Sequence, residues 1–219
     1  DYVNNSESSI SSIYFLLMPN GGREPNPYLD RSHIDATYQN GFDPSWTRIE
    51  RVADVDDAGL NYELIEGPAI FQTYSLEDNI LRVDLPEMLQ PGERVSVFIE
   101  FRTKFPHTWR GDEAYYRDVY TWRFGWNPIA VPATDLIDGQ YISEERPYYE
   151  LALPAGMYNL SLTLPDEYTA AIGADNVVVH DADGPTKQIE ASNNAPARSM
   201  PLSISTNFNV IEYPNENIE

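Results

Sequence analysis

From Arg94 to Arg102 the chain reads Arg-Val-Ser-Val-Phe-Ile-Glu-Phe-Arg. Val95, Val97, Ile99 and Phe101 fall at every second position. Successive side chains of an extended chain point to opposite sides, so these four share one face. A helix does not gather residues of period two onto one side. Pro91-Gly92 supplies a turn just before the run. The pattern predicts one half-buried strand over 94–102.

The same signal recurs along the chain. Ile10 to Met18 is a short apolar run closed by Pro19-Asn20-Gly21-Gly22, as a largely buried strand would be. Thr47 to Val52 alternates and runs into the turn Asp56-Asp57-Ala58-Gly59. Shorter strands are predicted over 61–65, 69–74, 80–85, 149–153, 158–164, 169–172, 176–180, 187–191, 199–205 and 208–213. A Pro-Asp turn separates the two at 158–164 and 169–172. Asp30 or Ser32 is placed to cap a short helix near Asp30 to Gln39. Residues 105–147 read as a long irregular region holding Trp109, Trp122 and Trp126, and such loops are often functional. No repeat and no Pro/Ser-rich linker divides the chain. The expectation is a single all-β domain over 1–219, a sandwich or saddle-like arrangement of mostly antiparallel sheets with long loops.

Composition narrows the partners. With Lys+Arg 14 against Asp+Glu 35, the net charge of -21 would repel a phosphate backbone or an anionic membrane surface. Only Lys104 and Lys187 are lysines. A surface so acidic fits either a salty habitat, where salt screens the self-repulsion, or plain acidic drift. The absence of cysteine excludes a disulfide framework and a thiolate zinc site. No stretch approaches ~18 apolar residues, so no membrane-spanning helix is expected. No signal peptide is evident, and Asp1 reads as a processing boundary. The lack of cysteine, with abundant Tyr, Asn and Pro, tilts the compartment towards periplasm, cell surface or exterior.

His33, His107 and His180 are the histidines, and no two lie four apart as a His-Glu-x-x-His zinc motif needs. Asp54-Val55-Asp56-Asp57-Ala58-Gly59 and His180-Asp181-Ala182-Asp183-Gly184 hint at calcium. An EF-hand loop requires Glu at its twelfth position, where counting from Asp54 and Asp181 gives Ile65 and Ser192. Hairpin turns are the favoured reading of both. The 105–147 region interleaves Trp109, Tyr115, Tyr116, Tyr120, Trp122, Phe124 and Trp126 with Arg110, Arg117 and Arg123. Three readings stay open for it: an aromatic mini-core, a docking surface for another domain, or a sugar-stacking platform. As docking residues, Tyr120, Trp122, Arg123 and Trp126 stand out. The adjacent pairs Asp112-Glu113 and Glu144-Glu145 would point to opposite faces of a strand and make no acid–base dyad.

Several segments, in order, carry a resemblance. They are Asn4-Asn5-Ser6 with Ile13 to Leu17 and Pro19-Asn20; Ile80 to Leu85; Leu89-Gln90-Pro91-Gly92-Glu93 with Val95 to Phe101; and Trp126-Asn127-Pro128. Tyr158 to Pro165 with Tyr168 to Gly173, and Ala197 to Ser205 with Phe208, complete the set. Together they resemble the N-terminal β-domain of aminopeptidase N-like zinc metallopeptidases (gluzincins), joined after that domain's first strand or two. In such enzymes this domain frames the substrate cleft, and a separate domain holds zinc through His-Glu-x-x-His and a later Glu. The resemblance implies no catalytic, cofactor or metal residue in this chain, and zinc only in a downstream catalytic domain. The implied partners are that domain and the parent's peptide substrate. Two departures bear on the parent's activity. The stretch Val119-Tyr120-Thr121-Trp122-Arg123 lacks the family's Gln or Glu, and Val131-Pro132-Ala133-Thr134-Asp135 replaces its Asp-Glu-Pro. The family's Gly-x-Met-Glu-Asn strand is also missing. The alternative reading is a free-standing extracellular β-sandwich that binds through the aromatic 105–147 region.

Overall fold

The computed structural model describes residues 1–25, 33–35, 38, 40–67, 77–107, 113–135, 155–181 and 184–209. The strands predicted at 69–74 and 149–153, and residues 210–213 of the last one, lie outside them. Within them the chain is all-β apart from short 3-10 turns and a helical stretch at His33, Ile34 and Asp35, inside the helix expected near 30–39. None of the sheets closes into a barrel. No helix among the described residues is long and apolar enough to cross a membrane.

At the centre lies β2 (Ile10–Leu16), followed by a 3-10 turn over Met18–Gly22. It pairs antiparallel with β5 (Ile80–Leu89), which pairs with β4 (Tyr62–Ile65); β10 (Ile129–Ala130) covers the other edge of β2. Alternation divides the apolar side chains of β2 between two layers. Ile13 faces Val83, Leu81 and Val52 in one cluster, while Tyr14 and Leu16 join Ile80, Ile129 and Val131 in another. Both faces are thus covered, which is why this strand reads as a continuous apolar run. Pro86 interrupts neither strand. It falls where the β2–β5 register slips, between the pairs Ser12–Asp84 and Ile10–Leu89, and a slip is where a strand tolerates a missing N–H.

Two segments of the resemblance prove to be polar clamps. Asn4 is fully buried; its amide donates to the carbonyls of Ser8 (2.8 Å) and Leu89 (2.9 Å), and its oxygen accepts from Ser6. Asn20 is also fully buried. It donates to the Asp78 carbonyl at 2.6 Å and accepts the Thr47 N–H at 2.6 Å. Each side chain is itself sealed from water and satisfies backbone groups of the surrounding chain.

The run at 94–102 departs from the single strand predicted. It breaks into β6 (Arg94–Val95), which pairs with β1 (Tyr2–Val3), and β7 (Phe98–Lys104), which pairs with β3 (Trp46–Ala53). The shared face survives: Val95, Val97 and Ile99 all pack on the cluster around Ile13. Period two reports the buried face, and it does not report that the chain changes partners at Ser96-Val97.

A second pair of sheets follows. One contains, in order, β12 (Thr169–Ile172), β15 (Leu202–Ser205), β9 (Val119–Trp122) and β8 (Glu113–Tyr116). The other contains β11 (Asn159–Pro165), β14 (Thr186–Ser192) and β13 (Asn176–Asp181). Strands β11 and β12, joined at Pro165-Asp166, do not pair with each other but enter different sheets. Leu164 and Ile189 of one sheet meet Leu202 and Ile204 of the other in a third buried cluster.

Candidate functional site

The aromatic region expected to be irregular contains a hairpin. Tyr115 lies directly across from Tyr120, and Tyr116 from Val119, around the turn Arg117-Asp118. Arg117 adopts φ +53, in the left-handed region. For a residue with a Cβ this costs about 1–2 kcal/mol. Two contacts hold the turn. The Arg117 guanidinium lies 5.3 Å from the Tyr116 ring, and Asp118 accepts from the Asn207 amide at 3.0 Å. The turn carries no Gly or Asn, so the usual punctuation of a hairpin is missing. The aromatic residues flanking Arg117-Asp118 were the signal that could have revealed it.

The rings form a row. Tyr115 stacks on Tyr120 with centroids 4.3 Å apart, and Tyr120 lies 6.0 Å from Trp122 in nearly parallel planes. Phe105 closes one end edge-on to Trp122 at 5.5 Å. His107 closes the other, 5.0 Å from Tyr115. Beneath the row, Tyr120 and Trp122 pack on the cluster of Leu164, Ile189, Leu202 and Ile204. Burial pushes the Tyr120 phenol above its ordinary value, and the neighbouring Tyr115 and Tyr168 push it the same way.

Beside the row sits an ionic anchor. Asp43 pairs with the Lys104 ammonium and accepts the His107 N–H at 2.8 Å; Lys104 also donates to the Pro44 carbonyl at 2.6 Å. Burial raises the Asp43 carboxyl, but the hydrogen bonds and charge attraction of Lys104 and His107 together outweigh it and leave the group below its usual value.

The four predicted docking residues are split. Tyr120 and Trp122 belong to the row and are half-buried on the domain's own core. Arg123 is exposed just beyond β9. Trp126 is half-buried on a separate crossing, where its indole N–H donates to the Met200 carbonyl at 3.3 Å and its own carbonyl accepts from Thr103. The chain reaches that crossing through Gly125, at φ +74. A Cβ there would stand 2.7 Å from the Met18 sulfur, so the close approach needs glycine.

The remaining candidates are dispersed. Among the described residues no three His, Asp or Glu side chains form a group able to hold a metal ion. The Asp54 carboxylate accepts the backbone N–H groups of Asp56 and Ala58, each at 2.9 Å, and so organises its own turn. His180 lies 3.6 Å from Glu190 across the three-stranded sheet. Asp112, Glu144 and Glu145 lie outside the described residues.

No family model matches the chain, and no curated protein sequence matches it. Its fold is similar to that of an M1 zinc metallopeptidase from Deinococcus radiodurans. A mutant of that enzyme bound to a Tyr-Ser-Ala substrate aligns with a TM-score of 0.51 at 10% identity, over 91% of this chain. A second structure of the mutant enzyme gives 0.51 at 11% identity over the same share. In both, the aligned part is 35% of the metallopeptidase chain, so this chain spans about a third of its structural neighbours. At such identity the likeness establishes the fold alone.

Proposed function

We propose that this chain is the non-catalytic N-terminal β-domain of an aminopeptidase N-like zinc metallopeptidase, framing the substrate cleft of a separate catalytic domain. The observation that carries the reading is the fold likeness over 91% of the chain, joined to the ordered segments of the resemblance. Asn4 and Asn20, two residues of those segments, are the buried clamps of the fold. Zinc belongs, on this reading, to the catalytic domain, and the acidic surface leaves nucleic acid and anionic membranes aside as partners.

Tyr120, Trp122, Arg123 and Trp126 are the proposed contact with that domain. Arg123 and Trp126 give the sharper test, because Tyr120 and Trp122 also support the chain's own core. Replacing Trp126 by Ala should weaken association with the catalytic domain by about 2–4 kcal/mol, as for a buried aromatic anchor, while the isolated chain still unfolds cooperatively. Loss of folding instead would assign the residue to the core.

The reading as a whole is tested by zinc content and hydrolysis of an aminoacyl-nitroanilide. The chain alone should show neither, and both should appear when the polypeptide following Glu219 is added. Zinc or hydrolysis by the chain alone would overturn the proposal. A second reading, a free-standing binding β-sandwich, draws on the exposed hairpin tip, where Tyr116, Arg117 and His107 face solvent. A following sequence without His-Glu-x-x-His would favour it.

A further inference from the structure

Strand β13 is an open edge. It pairs with β14 on one side and, among the described residues, with nothing on the other. Its centre is Val177-Val178-Val179, whose side chains are 47%, 50% and 58% exposed. Valines on both faces of an edge strand stand in water beside a row of unpaired N–H and C=O groups. Such an edge is a template for another strand.

Proteins usually blunt such an edge with a lysine, a proline or a bulge. None is present here. The segment Asn176 to Asp181 contains no Lys or Pro, and its register with β14 runs through six pairs without a shift. The opposite edge of the same sheet contrasts with it. There β11 buries Leu164 and ends on Pro165.

Charge selects the occupant. Residues 159–192 carry Asp166, Glu167, Asp175, Asp181, Asp183 and Glu190 against Lys187 as the lone lysine or arginine. A second copy of the chain would bring another net charge of -21. If two copies met with Val178 across Val178, sequence register would set Asp175 opposite Asp181, and like charges directly opposite are destabilising. An extended segment with β-branched residues at its centre and Lys or Arg at its ends meets the opposite situation. Its apolar residues cover the valines and its ends meet the acids. We propose that β13 accepts such a basic-flanked peptide as an added strand. This inference stands apart from the metallopeptidase reading, because it uses neither the aromatic row nor a catalytic domain.

The test uses three synthetic peptides titrated into the full 219-residue chain by calorimetry. One is acetyl-Lys-Thr-Val-Thr-Val-Thr-Val-Lys-amide, one has Glu in place of both Lys, and one keeps Lys but has Pro in place of the central Val. The variant is Val178→Lys. It faces Glu190 across the β13–β14 pair, so the strand retains a favourable neighbour, and a thermal melt verifies the fold. The expected result is binding of the first peptide alone, weakened at least tenfold in the variant; one added charge against -21 is too little to do this by bulk attraction. Four results would overturn the proposal. They are no binding up to about 1 mM, equal binding of the proline peptide, insensitivity to Val178→Lys, and self-association of the chain through the same edge.

Discussion

The sheet built on β2 and the sheet ending in β13 start from similar sequence. Ile13-Tyr14-Phe15-Leu16 and Val177-Val178-Val179 are both apolar runs that suit a strand buried on two faces. The first has that environment, with Ile13 and Leu16 at 0% and 2% exposure. The second stands half open to water. A run of β-formers states that a strand will form, and it leaves open whether other elements will arrive to cover it. That depends on sheet order, which is a long-range property. β2 is flanked by β5 and β10, whereas β13 comes last in its sheet.

Substitutions should separate the two sheets sharply. Ile13→Ala removes a fully buried side chain shared among Val52, Leu81 and Val83, and should cost about 2–5 kcal/mol in urea unfolding. A cost below about 1 kcal/mol would show that the central layer is loosely packed. Asn20→Ala should cost about 1–3 kcal/mol, because the buried Thr47 N–H loses its acceptor and the part-buried Asp78 carbonyl loses a donor. Val179→Thr in the open strand should change stability by less than about 0.5 kcal/mol. A large loss there would mean that something covers the strand after all.

The smallest effect is a pH dependence at the anchor beside the aromatic row. The folded-state carboxyl of Asp43 lies below its ordinary value of 3.8. A lowered value means that its contribution is present above pH 3.8 and is lost as the pH falls through the folded value. The side chain is about a third exposed, at 35%, so the effect should be slight. Asp43→Asn should flatten the acid limb of the stability curve below that pH and leave neutral stability nearly level. An unchanged acid limb would remove Asp43 from the account.

Much of the fold was legible because its signals are local. The breakers after Met18, the Asp-Gly turn at 56–59 and the alternation of Leu160, Leu162 and Leu164 all act within a few residues. The strand at 94–102 was legible in its buried face and not in its break, since the exchange of partners from β1 to β3 involves residues some fifty to ninety positions away. At the candidate site the residue types were readable and their grouping was not. Tyr120 and Trp122 share a face two residues apart, but only the arrival of Leu202 and Ile204 from the far end of the chain turns that face into a core. The hairpin itself was hidden by a turn held by contacts of Arg117 and Asp118 rather than by glycine.

The Asn20 clamp also bears on how the molecule ages. The residue after it is Gly21, and Asn-Gly is the dipeptide in which backbone nitrogen most readily attacks the side-chain amide and expels ammonia. Here both ends of that amide are engaged and sealed from water, so the reaction has to wait for an opening of the fold. Once it happens it is one-way. An aspartate would return a negative charge to a fully buried position and present an acceptor to the Asp78 carbonyl, where a donor had been. Each excursion to an open state thus risks a permanent lesion at Asn20, at a pace set by local opening of the Met18–Gly22 turn, whereas the exposed Asn40-Gly41 pair has no such protection.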